Sequence, residues 1–372
     1  MLLDSRMVQV TGQGKLEITH VQVPCEVKGG IVADVILAGI CGTDIHLLDD
    51  PHPIPGVADP YPLGMGHEMV VRVRSIDPGS VDTYGTPISE GDRIVFDPTS
   101  WACGRCYACR VLLSPNNCLH PAPSVPFPEF GAAFADHVTI PPGSLVYRVP
   151  DGMPDEIAVL TEPMAGASRA FQRGARPGNP DRGEGFGVGS SVVIQGAGAL
   201  GALLTVIAKQ AGAGHITVIG EPVERRAVCA KLGADLTLGL EGSSAERVKA
   251  VADASLLGLG ADVVFEASGA PDALGEAIEL ARIEGTIVEF GAYTDRGQAH
   301  VPASAICRKD LAIFGSLGYG PGQFGLALRL LERWRDQVAF GALITHTFPL
   351  DSISEAFDVA RSGEAIKATI VP

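Results

Sequence analysis

Residues whose side chains can bind a metal recur in three short segments of the sequence. Cys41-Gly-Thr-Asp-Ile-His46 comes first, Gly64-Met-Gly-His67-Glu68 follows, and Glu162 lies much further along the chain. Thiolate, imidazole and carboxylate suit zinc, and a catalytic zinc site uses three protein ligands and keeps one position open. Taken singly, a cysteine such as Cys41 is more often a small buried hydrophobe, and each glutamate is more often a solvated charge. Together the segments predict a catalytic metal site.

A second group of ligands is formed by cysteines. Four of the eight cysteines crowd into one segment, as Cys103, Cys106, Cys109 and Cys118. Four thiolates that close together fill a closed, tetrahedral zinc site. In a reducing compartment such a group indicates metal rather than disulfides, and free thiols are the alternative. The spacing therefore predicts a structural zinc.

A nucleotide-binding turn is indicated by Gly196-Ala-Gly198-Ala-Leu-Gly201, which follows the strand-like run 191–195 and precedes an apolar segment without proline. Gly196 permits the sharp turn, Gly198 lets the backbone approach a pyrophosphate, and Gly201 lets the helix lie close to the strand. The free N–H groups at the helix start then meet the anion. The motif alone is weak, because ordinary glycine turns also match it.

The elements around these residues indicate an α/β chain of two domains. Further strand-like runs at 215–219, 261–265, 285–290 and 311–314 follow the glycine turn, with helix-like segments between the earlier ones. This alternation predicts a doubly wound parallel sheet of the Rossmann type over residues 161–318. Short apolar runs broken by glycine and proline predict a strand-rich domain over residues 1–160. Residues 319–372 are expected to complete that domain.

Composition limits the classes of partner. The chain has 372 residues and 46% hydrophobic content, enough for two sizeable cores. Its net charge of -15 and pI of about 5.0 argue against nucleic acid and anionic membranes, which attract basic surfaces. The sequence has neither a secretory signal pattern nor an apolar run of about 20 residues that would span a membrane. A small-molecule ligand and a cytoplasmic location are expected.

Together these segments resemble the zinc-dependent medium-chain dehydrogenase/reductase family, in particular its alcohol and polyol dehydrogenases. Residues 41–46 match the family pattern Cys-Gly-Thr/Ser-Asp-x-His at every fixed position, and residues 64–68 resemble the second metal segment. Glu162 stands where the polyol and threonine dehydrogenases carry a glutamate. The resemblance covers nearly the whole chain. It implies a GroES-like catalytic domain beside the Rossmann domain, and a homodimer or homotetramer.

The resemblance also implies two zinc ions. The catalytic zinc would be held by Cys41, His67 and Glu162. Glu68 would either coordinate the zinc transiently or contact the ligands without binding the metal itself. The cysteine lobe would hold the structural zinc. Eight residues, 110–117, separate its last two cysteines. This loop is one residue longer than the family generally has. The extra residue weakens the prediction for the fourth ligand, Cys118, more than for the first three.

Roles in catalysis follow from the same resemblance. Thr43 would hydrogen-bond the substrate oxygen, and His46 would pass the proton outward. A turn hydroxyl and a surface imidazole are the alternatives. The substrate pocket is expected near Thr43, Trp101 and Tyr319, but the sequence gives no pocket shape.

The choice of cofactor depends on one turn. The family position that reads the ribose aligns with Gly220, and the acid Glu221 comes one residue later. A glycine there resembles some NADP-using members, in which Arg225 or Arg226 would meet the 2′-phosphate. Glu221 would repel that phosphate, and a basic residue at the position of Arg225 also reaches the ribose in NAD-using members. NAD is therefore expected, with NADP as the alternative.

Further cofactor contacts are implied at single positions, each also compatible with ordinary structure. They are Leu200 in the glycine turn, Ser268 beside the adenosine, Ala292 near the nicotinamide, Leu317 at the carboxamide and Lys367 at the pyrophosphate.

The expected function is therefore zinc-dependent hydride transfer between a secondary alcohol or polyol-like substrate and NAD. Zinc lowers the pKa of an alcohol that it binds, and nicotinamide accepts the hydride. The alternatives are an NADPH-dependent carbonyl reductase of the same family and a noncatalytic nucleotide-binding protein.

Overall fold

The computed structural model describes residues 1–49, 61–98, 102–120, 131–175, 185–255, 258–292 and 297–372. They form two compact units, one of Met1–Glu162 with Gly320–Pro372 and one of Pro163–Tyr319. Within these ranges, no helix has both the length and the apolar character that a membrane span requires.

Strands predominate over the first 150 residues, and strands and helices alternate from residue 191 onwards. The strands are β1 (Leu2–Gly12), β2 (Lys15–Pro24), β3 (Ile31–Gly39), β4 (Leu63–Gly64), β5 (Glu68–Ile76), β6 (Arg93–Phe96), β7 (His137–Ile140), β8 (Val146–Arg148), β9 (Ser191–Gln195), β10 (His215–Ile219), β11 (Leu236–Leu238), β12 (Ala261–Glu266), β13 (Ala281–Glu289), β14 (Ala312–Gly315), β15 (Ile344–Pro349) and β16 (Lys367–Val371). The helices are α1 (Gly42–Asp49), α2 (Tyr107–Arg110), α3 (Asp155–Ala158), α4 (Thr161–Gly174), α5 (Ala199–Gln210), α6 (Val223–Leu232), α7 (Ser244–Ala254), α8 (Ala273–Leu280), α9 (Ala303–Lys309), α10 (Pro321–Trp334) and α11 (Ile353–Ser362).

The first unit is built from two sheets. A three-stranded sheet has the order β2-β1-β4, and a seven-stranded sheet has the order β15-β16-β3-β5-β6-β8, with β7 paired to β3. Apolar side chains from both sheets and from α11 share one core, in which the Phe134 and Phe357 rings meet edge to face at 6.0 Å. Because β15 and β16 belong to the larger sheet, the C-terminal segment is part of this unit.

The register of β3 determines which residues meet at the end of that sheet. Gly39 lies opposite Glu68 of β5 on one side and opposite Thr369 of β16 on the other. Both pairings are antiparallel, so Cys41, two residues beyond Gly39, lies near the start of both neighbouring strands. Three segments that are distant in sequence therefore converge at one point.

The second unit contains a parallel six-stranded sheet with the order β11-β10-β9-β12-β13-β14. The strand order reverses between β9 and β12, which is where doubly wound sheets bind ligands at the carboxyl ends of their strands. Val193, Val264 and Ile287 from the sheet pack with Ala277 and Ile278 of α8 in one core.

The expected α/β class, with a doubly wound parallel sheet and a separate strand-rich unit, is confirmed. Two boundaries differ from expectation. Helix α5 begins at Ala199, inside the glycine motif. Strand β13 begins at Ala281, directly after α8 ends at Leu280, so its first residues lie outside the apolar run that predicted it.

Candidate metal and dinucleotide sites

The first candidate metal site lies where β3, β5 and β16 converge. Possible ligand atoms of Cys41, His67 and Glu68 all lie within 4.8 Å of one another. Glu162, in the first turn of α4, is not a member of this group in the described part of the chain. The structure therefore brings together three of the four residues predicted for this metal, Cys41, His67 and Glu68, while a ligand role for Glu162 stays a prediction.

The Asp44 carboxylate contacts both segments that carry the candidate ligands. One carboxylate oxygen accepts the Cys41 N–H at 2.8 Å, and the other accepts the Gly66 N–H at 3.2 Å and lies 3.5 Å from His67 Nδ1. Burial alone would lower the pKa of His67, but the Asp44 carboxylate, with further contributions from Cys41, raises it well above its ordinary value. A carboxylate that holds one ring nitrogen leaves the other for a metal.

The role of Asp44 was missed from the sequence, although the residue lies within the 41–46 motif. Its signal was the fixed aspartate of that motif, three residues after the cysteine. The side chain is fully buried, and a carboxylate is rarely buried unless its oxygens have partners.

Lys367 occupies a place that the sequence did not predict. Its ammonium donates to both Glu68 oxygens, at 2.7 and 2.6 Å, and to the Ile40 carbonyl at 3.0 Å. Burial alone would lower its pKa, but Glu68, with further contributions from Cys41 and Glu162, raises the pKa above its ordinary value. The expectation that Lys367 binds the pyrophosphate is corrected, because its ammonium is buried and paired with Glu68.

Gly39 makes this ion pair possible. A side chain at this position would collide with the Glu68 carboxylate and press on Lys367. Removing either charge would leave the other buried without its partner, which typically costs about 3–5 kcal/mol. The pair therefore holds Glu68 in a fixed position beside Cys41 and His67.

The predicted catalytic side chains lie on the helix that follows Cys41. Thr43 Oγ1 is 3.7 Å from the Cys41 sulfur. His46 comes three residues later on α1, and residues with that spacing share one face of a helix. Tyr319 is buried at the end of the second unit, and Trp101 lies outside the described residues.

The four cysteines of the lobe also converge. The sulfurs of Cys103, Cys106, Cys109 and Cys118 all lie within 4.8 Å of one another, with Cys106 to Cys109 at 3.5 Å and Cys106 to Cys118 at 4.0 Å. Zinc–sulfur bonds of about 2.3 Å place the sulfurs of a tetrahedral site about 3.8 Å apart. The donor set and its spacing fit a structural zinc, and the longer loop before Cys118 is accommodated.

Backbone N–H groups prepare these sulfurs to carry charge. Leu119 donates to the Cys106 sulfur at 3.5 Å, and Cys103 and His120 donate to Cys118 at 3.3 and 3.4 Å. The bond from Leu119 contributes most to lowering the pKa of Cys106 to about 6. Partial burial, followed by the Cys106 sulfur, raises the pKa of Cys109 to about 12. Without a cation one thiolate opposes the next, whereas a divalent metal stabilises all of them.

In the second unit, the glycine turn has the form that a pyrophosphate requires. Gly198 precedes the 12-residue helix α5, and a side chain added at Gly198 would meet no atom within 4 Å, so the backbone borders open space. A side chain at Gly201 would collide with the Gly196 carbonyl, which explains the close approach of helix and strand. Leu200 lies in the first turn of the same helix. The residues present fit a bound dinucleotide phosphate.

The turn after β10 explains why the acid is displaced by one residue. A side chain at Gly220 would place its Cβ 2.6 Å from the Ala197 nitrogen, so the strand ends in glycine and Glu221 supplies the carboxylate. Glu221 Oε1 accepts the Leu240 N–H and an Arg226 N–H, each at 2.8 Å. Arg225 is half-buried, and burial lowers the pKa of its guanidinium.

The other predicted cofactor positions lie at the carboxyl ends of β12, β13 and β14. Ser268 follows β12, Ala292 follows β13, and Leu317 follows β14. Glu266 and Glu289, which end β12 and β13, hydrogen-bond these turns and were missed from the sequence. Their signal was an acidic residue at the end of each of two apolar strands.

Comparison with known proteins agrees with both units. Residues 28–151 match the alcohol dehydrogenase GroES-like domain, and residues 199–333 match the zinc-binding dehydrogenase family. The chain is 28% identical to the 5-exo-hydroxycamphor dehydrogenase of Pseudomonas putida, over 98% of each chain. It is also 28% identical to the sorbitol dehydrogenase of Halalkalibacterium halodurans, over 97% of each chain.

A solved structure extends the likeness to the fold. The alcohol dehydrogenase of Thermotoga maritima is 27% identical, with 100% of each chain covered and a TM-score of 0.85. The metal ligands, the glycine turn and these matches lead to one family. The chain belongs to the zinc-dependent medium-chain dehydrogenases, in the group of alcohol and polyol dehydrogenases.

Proposed function

We propose that this enzyme interconverts a secondary alcohol or polyol-like substrate and its ketone, with NAD as the hydride carrier. The observation that carries the proposal is the group of Cys41, His67 and Glu68, whose ligand atoms lie within 4.8 Å of one another. When bound there, zinc supplies a Lewis acid that lowers the pKa of an alcohol. The first unit is proposed as the catalytic domain and the second as the dinucleotide-binding domain.

The proposed ligands are Cys41, His67 and Glu68, with Glu162 outside them. A carboxylate oxygen has a second lone pair, so Glu68 can accept from Lys367 and still bind a metal. Glu162 acts through Lys367, whose pKa it helps to raise. Thr43 is proposed to hydrogen-bond the substrate oxygen, and His46 to pass the proton to solvent.

A pair of substitutions separates the two glutamates. We expect Glu68→Gln to weaken the catalytic zinc by more than about 100-fold, since a ligand is lost, and Glu162→Gln by about tenfold or less. Zinc per chain, measured by native mass spectrometry after dialysis against a series of zinc buffers, distinguishes them. Circular dichroism checks folding, because Glu68→Gln also leaves Lys367 without its partner. The reverse order of zinc loss would make Glu162 the ligand.

NAD is proposed because Glu221 presents a carboxylate in the turn after β10 that is expected to read the ribose. The hydrogen bonds from Leu240 and Arg226, each at 2.8 Å, support a fixed carboxylate. Such a group accepts hydrogen bonds from ribose hydroxyls and repels a 2′-phosphate. The same carboxylate occupies Arg226, which would otherwise meet that phosphate.

Removing this carboxylate should shift the preference for cofactor. We expect Glu221→Ala to lower catalytic efficiency with NAD about tenfold and to raise it with NADP about tenfold, because a charge-assisted hydrogen bond is lost and a repulsion is removed. Steady-state kinetics with both cofactors measure this. Glu224→Ala, on the exposed first turn of α6, should change neither. A wild-type preference for NADP would favour the carbonyl reductase alternative.

Location and assembly follow as parts of the same proposal. All eight cysteines are free, which supports a reducing compartment such as the cytoplasm. Strand β14 ends the six-stranded sheet, and Ile313 on it is 37% exposed. An open strand edge can pair with that of a second copy, which supports a homodimer or homotetramer.

The substrate class is tested by a cofactor-reduction screen. The purified enzyme is assayed for NADH formation with secondary alcohols, polyols and hydroxy amino acids, and for NADH consumption with the matching ketones. Turnover confined to one of these classes identifies the substrate. Binding of NADH without turnover of any alcohol or ketone would favour the noncatalytic alternative.

A further inference from the structure

Three polar side chains form a row across the middle of the six-stranded sheet. Gln195, Glu266 and Glu289 end β9, β12 and β13, and they lie in register with one another. Residues in register on parallel strands project to the same face. Carboxyl groups at this edge are unusual neighbours, because parallel strands are normally apolar on both faces.

Glu266 connects two turns that carry predicted cofactor contacts. Its side chain accepts the Ser268 N–H at 2.7 Å and the Gly269 N–H at 3.1 Å, and it also accepts the Ser268 hydroxyl. Its backbone carbonyl accepts the N–H groups of Phe290 and Gly291, at 3.0 and 2.9 Å. The side chain is 1% exposed. One buried residue therefore holds the turn after β12 and the turn after β13.

Glu289 closes the second turn and faces Glu266. Its Oε1 accepts the Ala292 N–H at 3.1 Å, and the pairing of β12 with β13 places Glu289 directly in register with Glu266. Partial burial and then the Glu266 carboxylate raise the pKa of Glu289 to about 7. A protonated carboxyl group can donate to a neighbouring carboxylate, whereas two neighbouring carboxylates repel each other.

Other charged groups near the row have partners of their own. Arg247 of α7 pairs with Glu276 of α8 at 2.7 Å, and Glu276 also accepts the Gln195 side chain at 2.9 Å. Arg173 of α4 donates twice to the Gly315 carbonyl on β14, the residue in register with Glu289. Among the described residues, the charge that opposes ionisation of Glu289 is Glu266.

The two turns also touch directly. A side chain at Gly269 would place its Cβ 2.5 Å from the Gly291 carbonyl oxygen, and one at Gly291 would collide with Glu266 and the Gly269 nitrogen. The backbones of the two turns are packed closely, so a small movement of one turn away from the other would break these contacts. Repulsion between the carboxylates therefore acts on the positions of both turns.

We propose that Glu266 and Glu289 are positioning residues for the cofactor, which hold turns 268–269 and 291–292 together by sharing one proton and separate them when that proton is lost to solvent. The proposal rests on the proposed function, because Ser268 and Ala292 are the cofactor contacts that the turns carry. It adds a pH-dependent control of cofactor affinity to the glycine turn.

The direction of the pH effect follows from the raised pKa of Glu289. Between the ordinary carboxyl pKa and about 7, the folded chain holds a proton that the unfolded chain has released. The free energy of unfolding of the second unit therefore falls as the pH rises through this window. Above the window, the pair of carboxyl groups no longer contributes to that stability. Cofactor affinity should fall as the pH rises through about 7.

Calorimetric titration of the zinc-loaded enzyme with NADH between about pH 6 and about pH 9 tests this proposal. We expect the wild-type affinity to fall about tenfold across this range, in the middle of the usual span for coupled equilibria. Glu289→Gln should keep the low-pH affinity throughout, because its amide donates to Glu266 and carries no titratable proton. Glu279→Gln, exposed on α8, should retain the wild-type profile.

A wild-type affinity that does not change with pH, or a Glu289→Gln profile that follows the wild type, would overturn the positioning role. Glu266→Ala should weaken NADH binding at every pH, because two N–H groups lose their acceptor. If the wild-type enzyme bound no NADH at any pH, the proposed function itself would fail.

Discussion

Replacing Cys41 by serine should lower turnover about a thousandfold while the chain stays folded. The thiolate is one of three groups within 4.8 Å of one another, and its N–H is fixed by Asp44. Serine keeps the shape but not the thiolate, so the catalytic zinc is lost or weakly held. Several kcal/mol of stabilisation of the reacting alcohol are then lost, and about 4 kcal/mol corresponds to a thousandfold.

Three measurements on the Cys41→Ser variant separate catalysis from folding. Steady-state kinetics give the loss of turnover, native mass spectrometry gives zinc per chain, and NADH titration shows that the second unit still binds cofactor. Cys307→Ser, which removes an exposed thiol elsewhere, should match the wild type in all three. Unchanged activity of Cys41→Ser across an alcohol panel would exclude the metal role.

Replacing Cys106 by serine should release the second zinc and unfold the lobe locally. Within residues 102–120, only Cys106 and Ala108 are buried, so the lobe has almost no core of its own. Its order then depends on the metal, as in other small domains that fold around zinc. The lobe also has apolar side chains that are already exposed, so unfolding costs no burial at these positions: Val111, Leu112 and Leu113. We expect zinc per chain to fall from two to one.

Limited proteolysis reports the state of the lobe in this variant. Cleavage within residues 102–120 should become at least about tenfold faster, because an unfolded segment is cut without prior opening. Cys25→Ser, outside the lobe, provides the matched control. If the wild-type protein carried one zinc after mild purification and the lobe resisted protease equally in both forms, the cysteines would be ordinary thiols.

The sequence predicted those parts of the molecule that depend on local pattern. The run 191–195 and the glycines after it predicted β9, the turn and α5, because each feature is encoded within about twenty residues. The spacing of the cysteines predicted the lobe for the same reason. The resemblance added Cys41 and His67 from two short motifs, and both lie in the candidate metal site.

Contacts that depend on the pairing of distant strands could not be predicted from the sequence. Lys367 meets Glu68 because β3 pairs with both β5 and β16, and 299 residues separate the two charges in the chain. The same register brings Glu68 beside Cys41. Glu266 and Glu289 form a pair only once β12 and β13 are aligned in register. Alternation and composition carry no information about register between distant strands.

Zinc held by the first unit is proposed to make alcohol oxidation by NAD possible. The most direct measurement is the initial rate of NADH formation with the preferred alcohol, before removal of the catalytic zinc by chelation, after removal, and after zinc is added back. We predict that the rate falls about a thousandfold when the metal is removed and recovers when zinc is added back, while NADH affinity stays unchanged. A metal-depleted enzyme that oxidises the alcohol at the original rate would contradict the claim.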